Sequence, residues 1–164
     1  MTETFPAFFA QAPTLHLRDP LAQFLGAATD GVLEYHYADA VRLAGHSCPT
    51  VAGAYLLTRR GLRALYGDDL PERGNIAVHM RDARDRGTTG VIASIATLLT
   101  GAAAETGFGG IGAQGRFSRR DLLTFDAPIA GLMALTREDN GARVELELNA
   151  SIVPFPAEMQ ALMP

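Results

Sequence analysis

Lysine is missing from this chain of 164 residues: all 14 basic residues are arginine, so no amine is available for a Schiff base or as a proton shuttle. Cysteine occurs once, which excludes an internal disulfide and leaves nothing that points to an oxidising compartment. Positive charge is also in deficit. The formal net charge is −4 and the pI about 5.5, which argues against a sequence-independent nucleic-acid binder. No apolar run approaches the roughly 18 residues of a membrane span. The opening MTETFPAFFAQAPTLHLRD lacks the basic start and continuous apolar stretch of a secretory signal. The expectation is a cytoplasmic protein with no membrane and no nucleic acid among its partners.

What is present fits one ordinary globular domain over residues 1–164, with 48% hydrophobic and 20% charged residues. Residues 1–18 read as an N-terminal extension. Asp19-Pro20 is an N-cap followed by proline at the first helical position, and it opens LAQFLGAA. HYADAVRLAG predicts a second short helix ending at Gly45. A longer third helix follows, with Ser47 or Cys48 as cap and Pro49 at its first position. Its apolar residues Val51, Tyr55, Leu62 and Leu65 recur at helical multiples up to Gly67.

DDLPERG reads as a turn, NIAVHM (75–80) as a strand and RDARDRG as an exposed loop. Thr88 or Thr89 then caps GVIASIATLLTG, apolar nearly all round and therefore expected to be buried. A glycine-rich loop spans 102–115. RRDLLTF, AGLMALTR and ARVELELN follow, the last two joined by Glu138-Asp139-Asn140-Gly141, a hairpin signal. Val144, Leu146 and Leu148 alternate with glutamates as in a half-buried strand. One helical turn is expected in the tail VPFPAEMQALMP. Helices first, one strand, a buried helix and then consecutive strands indicate an α+β fold with a mixed sheet.

Chemistry concentrates in Gly45-His46-Ser47-Cys48-Pro49. A thiol at a helix N-terminus faces unpaired N–H groups and the positive end of the helix dipole. Both favour thiolate, as does a neighbouring imidazolium. His46 and Cys48 are thus candidate catalytic residues and candidate metal ligands. A zinc site needs one or two further donors, and His79 is the best placed, with His16, His36, Asp39 and Glu105 as other candidates. The plainer alternative makes Cys48 a small buried hydrophobe and His46 a hydrogen-bonded structural residue.

GFGGIG (107–112) matches the letters of a dinucleotide fingerprint, with Asp126 downstream. It follows a helix instead of a strand, so no nucleotide is expected. Gly107, Gly109 and Gly110 instead permit close approach of another segment or a small-molecule ligand. Arg119, within Arg116, Arg119 and Arg120, could hold a carboxylate or phosphate of that ligand, or pair with surface acids.

In this order, Gly45 to Pro49, NIAVHM, ATLLTG and GFGGIG resemble the FmdE-like family, named for a component of formylmethanofuran dehydrogenase, over about residues 35–150. The chain resembles the stand-alone bacterial members more than a subunit of the larger complex. The resemblance implies an α+β core, an intertwined homodimer and zinc or another divalent metal near His46 and Cys48. Further cysteines common in that family are replaced here, at Thr88-Thr89 and Ala102. The resulting expectation is a small metal-binding protein with an undefined reaction. Its alternatives are a non-catalytic dimeric accessory module of a redox complex and a metal-free reactive-thiol protein.

Overall fold

Asp19 starts the first helix as its sequence suggests. Its Oδ1 accepts from the N–H groups of Leu21 at 2.9 Å and Ala22 at 3.2 Å, with Pro20 at the first helical position. The computed structural model describes residues 4–153 and 158; the tail helix expected above lies largely outside them. Helix α1 is Pro20–Phe24, α2 is Tyr37–Ala44, α3 is Pro49–Tyr66 and α4 is Thr89–Thr100.

The longest of these, α3, places Val51, Tyr55 and Leu62 wholly out of solvent and packs Leu65 half-buried against the same core. The predicted stripe is therefore the face that folds inward. α4 runs across it and buries Ile92, Ile95, Ala96 and Leu99. Its burial is less complete than the composition implies, because Val91 and Ser94 stay exposed at its first turns.

The strands are β1 (Leu15–Arg18), β2 (Val32–Tyr35), β3 (Ile76–Met80), β4 (Leu123–Thr124), β5 (Met133–Arg137) and β6 (Arg143–Leu146). The main sheet has the order β4-β3-β5-β6, with β3 and β4 parallel and the other neighbours antiparallel. The fold is thus α+β with a mixed sheet. The hairpin predicted at Asn140-Gly141 joins β5 to β6, with Gly141 at φ 73°.

Strand alternation turns Ile76, Val78 and Met80 of β3, with Met133 and Leu135 of β5, into the core shared with α3 and α4. Ala77 and His79 fall on the opposite face.

The structure departs from expectation at the N-terminal side. Leu15–Arg18, assigned above to an extension, pairs antiparallel with Val32–Tyr35. Leu15 and Leu17 are buried while His16 and Arg18 face outward. Four residues carry only two apolar side chains, so the alternation was too short to stand out between Pro13 and Pro20. A 3-10 turn, Ala7–Gln11, precedes this hairpin, and Phe9 of that turn packs against the ring of Tyr37 at 4.9 Å between centroids.

Candidate functional site: a thiol–imidazole corner

The turn between α2 and α3 brings the two reactive groups together. Gly45 ends α2 at φ 77°, a left-handed conformation that glycine adopts without a Cβ penalty. Its N–H closes onto the Val41 carbonyl at 2.8 Å. Three residues later Cys48 is extended and caps α3, with Pro49 at the first helical position. The tie between Ser47 Oγ and Tyr37 Oη, 2.8 Å long, fixes this turn to the buried start of α2.

His46 is exposed and Cys48 half-buried against the core. Nδ1 of His46 donates to the Ala44 carbonyl at 3.0 Å, which makes Nε2 the basic nitrogen of the neutral ring. That hydrogen bond, together with the hydrogen bond and charge of Cys48, raises the imidazole above its ordinary value. At Cys48 partial burial opposes ionisation. The N–H of Val51, the His46 ring and the N–H of Thr50 together outweigh it, and the thiol falls below its ordinary value. Neither N–H forms a full capping bond to sulfur. They act as oriented dipoles at the mouth of the helix. The two shifts favour the same proton transfer, from sulfur to imidazole.

Beside His46 lies a recess of about 160 Å³, lined by Leu43, Ala44, Val91, Ser94 and Ile95. Leu43 and Val91 on its rim are 51% and 37% exposed. Four of these five wall residues are apolar, so the group next to the imidazole is shielded on one side. Only the packing of α4 near α2 reveals this wall; nothing near His46 in the sequence signals Val91 or Ile95.

The remaining candidates lie elsewhere. His79 sits on the sheet face away from α3 and α4, with Nδ1 2.8 Å from Thr124 Oγ1. Burial, reinforced by Arg143, lowers its pKa. The strand's two-residue alternation sends His79 away from the corner, so it does not join His46 and Cys48. His16 and His36 also lie apart from the corner. Their Nε2 atoms meet the two oxygens of Glu34 at 2.8 and 2.6 Å on the exposed β1–β2 hairpin. Asp39 accepts from the His36 N–H and from Arg42, and Glu105 pairs with Arg84 at 3.2 Å. Among the described residues, no group of three His, Cys, Asp or Glu is disposed to hold a metal ion.

The glycine loop and its arginine form no open cradle. A Cβ on Gly107 would lie 2.7 Å from Ala103 Cβ and 3.0 Å from the Arg119 carbonyl; one on Gly110 would lie 2.2 Å from the Gly115 carbonyl. A Cβ on Gly109 would stand 3.3 Å from the guanidinium of Arg120. The close approach that these glycines permit is filled by the chain itself, including the bridge between Ile111 and Arg116.

Arg119 is buried. Its guanidinium pairs with Asp19 at 2.6 Å and donates to the Arg73 carbonyl at 2.5 Å, running over Gly74, where any Cβ would collide with it. The anion that Arg119 meets is therefore Asp19, and its role is structural. Arg116 lies over the rings of Phe117 and Phe24, and Arg120 points to the Gly107 carbonyl. No family model, curated protein or solved structure matches this chain.

Proposed function

We propose that this chain is a reactive-thiol protein in which Cys48 works as a thiolate nucleophile paired with His46. What supports this reading is the placement of His46 in the turn that leads into α3 and of Cys48 at the mouth of that helix, with the two pKa values moved toward each other. In the reaction the Cys48 S–H proton passes to the basic nitrogen of His46. The freed sulfur lone pair then forms a bond to an electrophilic carbon or to one sulfur of a disulfide, and the leaving group departs with the electron pair of the broken bond. With one cysteine in the chain, the disulfide product is a mixed disulfide. The recess beside His46 would admit a small, largely apolar electrophile.

A second reading, the one implied by the family resemblance, makes the same pair a half-site for zinc. His46 and Cys48 supply two donors where a structural zinc takes four, and among the described residues no further donor joins them within one chain. The exposed Leu43 and Val91 favour a second copy docking at this corner and adding its own two donors. No chemical step is assigned to that ion.

One experiment separates the two readings: the rate of alkylation of Cys48 by iodoacetamide against pH, with and without a chelator, on untagged protein. The nucleophile reading expects an inflection below the free-cysteine value of about 8.5 and no effect of the chelator. An inflection at that ordinary value overturns it. Alkylation that is slow until a chelator is added supports the half-site instead.

A further inference from the structure

Helix α3 changes character halfway along one side. Ala52, Tyr55 and Leu56 form an apolar floor, and Arg59, Arg60 and Arg63 continue it over the next two turns. Phe8 and Pro13, from the chain ahead of β1, form the opposite wall of a cleft of about 280 Å³. Leu56 also borders a wider depression lined by the three arginines.

The apolar and basic halves are therefore continuous. Arg59 is held at their junction, its Nε donating to the Thr14 carbonyl at 3.4 Å. None of the three arginines forms an ion pair among the described residues. Asp68 and Asp69, on the rim of the adjoining hollow with Arg59 and Arg63, stay beyond pairing distance. Phe8 and Leu56 are 58% and 48% exposed across the cleft from one another.

We propose that this composite site binds a small amphipathic carboxylate: its carbon body lies in the cleft between Phe8 and Leu56, and its carboxylate rests on Arg59 and Arg63. The apolar body would cover side chains now facing water, and the fork geometry of guanidinium matches a carboxylate. The cleft approaches the size typical of small-molecule sites, from about 300 Å³ upward. Its concave shape suits a single molecule better than a flat lipid surface. No step involves Cys48, so the site stands or falls independently of the thiol reading.

The test is calorimetric titration of the full chain with decanoate below its micellar range, with decan-1-ol as the uncharged control and anionic lipid vesicles as the surface control. Saturable one-to-one binding of decanoate is expected, with decan-1-ol weaker by about tenfold. Arg59→Gln/Arg63→Gln should weaken decanoate by a similar factor and leave decan-1-ol unchanged. Ala52→Leu, which fills the cleft floor, should weaken both. The arginines are exposed or half-buried, and circular dichroism confirms that each variant is folded. No saturable binding, equal affinity for acid and alcohol, or binding to vesicles without binding of monomeric decanoate would each overturn the proposal.

Discussion

At the scale of single residues, burial opposes ionisation of Cys48, and groups no more than three positions away, Val51, His46 and Thr50, outweigh it. Lowering the thiol pKa puts thiolate into a lower pH range, so removing one cause moves the inflection back upward. His46→Ala should therefore slow alkylation severalfold near neutral pH. It should still leave the inflection below that of a free cysteine, because the Thr50 and Val51 N–H groups remain. Stopped-flow alkylation across pH checks this, and an unchanged profile would mean that the imidazole contributes nothing. The corner was legible in the sequence because its geometry is local: Gly45, Cys48 and Pro49 fix one turn and one helix start. His79 was not, since the face a strand residue takes depends on which side of the sheet the helices cover.

Among the elements, α3 presents two inward-facing glycines, Gly61 to the sheet and Gly53 to Leu148 just beyond β6. A Cβ on Gly61 would lie 2.6 Å from methyl carbons of both Leu135 and Leu146, which are buried in the core. A Cβ on Gly53 would lie 2.7 Å from Leu148, which is only half-buried and has room to turn. Alanine gains about 1 kcal/mol of helix propensity over glycine at either position. Overpacking a filled core costs about 1–3 kcal/mol. Gly61→Ala should accordingly lower stability by up to about 2 kcal/mol, with Gly53→Ala within about 1 kcal/mol of the parent; urea unfolding measures both. The starts of α1 and α3 and the ends of α2, α3 and α4 were readable from caps and spacing, whereas α1 ends at Phe24, short of the expected LAQFLGAA. The reason for glycine at 53 and 61 was not readable, because it lies in β5, β6 and Leu148, more than seventy residues away.

For the molecule as a whole, Asp19 joins three distant segments. It caps α1 and pairs with Arg73 at 2.9 Å and Arg119 at 2.6 Å, all three largely withdrawn from water. Burial works against its charge. The hydrogen bond from Arg73, the charge of Arg119 and the Ala22 N–H outweigh it and hold the carboxyl below its ordinary value. Asp19→Asn would leave the Arg119 charge buried without a counterion, a loss of about 3–5 kcal/mol. A depressed carboxyl stabilises the fold above its unfolded pKa and ceases to do so as pH falls through the folded one. The gap between parent and Asp19→Asn should therefore stay level near neutral pH and close below about pH 4. Urea titrations at several pH values test this; a gap that widens in acid would contradict it.

The sequence by itself determined the α+β class, the caps of α1 to α3, the β5–β6 hairpin and the placing of His46 and Cys48 in the turn that opens α3. All of these follow from interactions between residues close along the chain. Tertiary structure alone decided that Arg119 neutralises Asp19, that the glycine loop closes on itself, that His79 faces away, and that Arg59 continues the cleft under Phe8. Each of those depends on segments far apart in sequence coming to lie side by side, and spacing along the chain carries no record of which distant segments will do so.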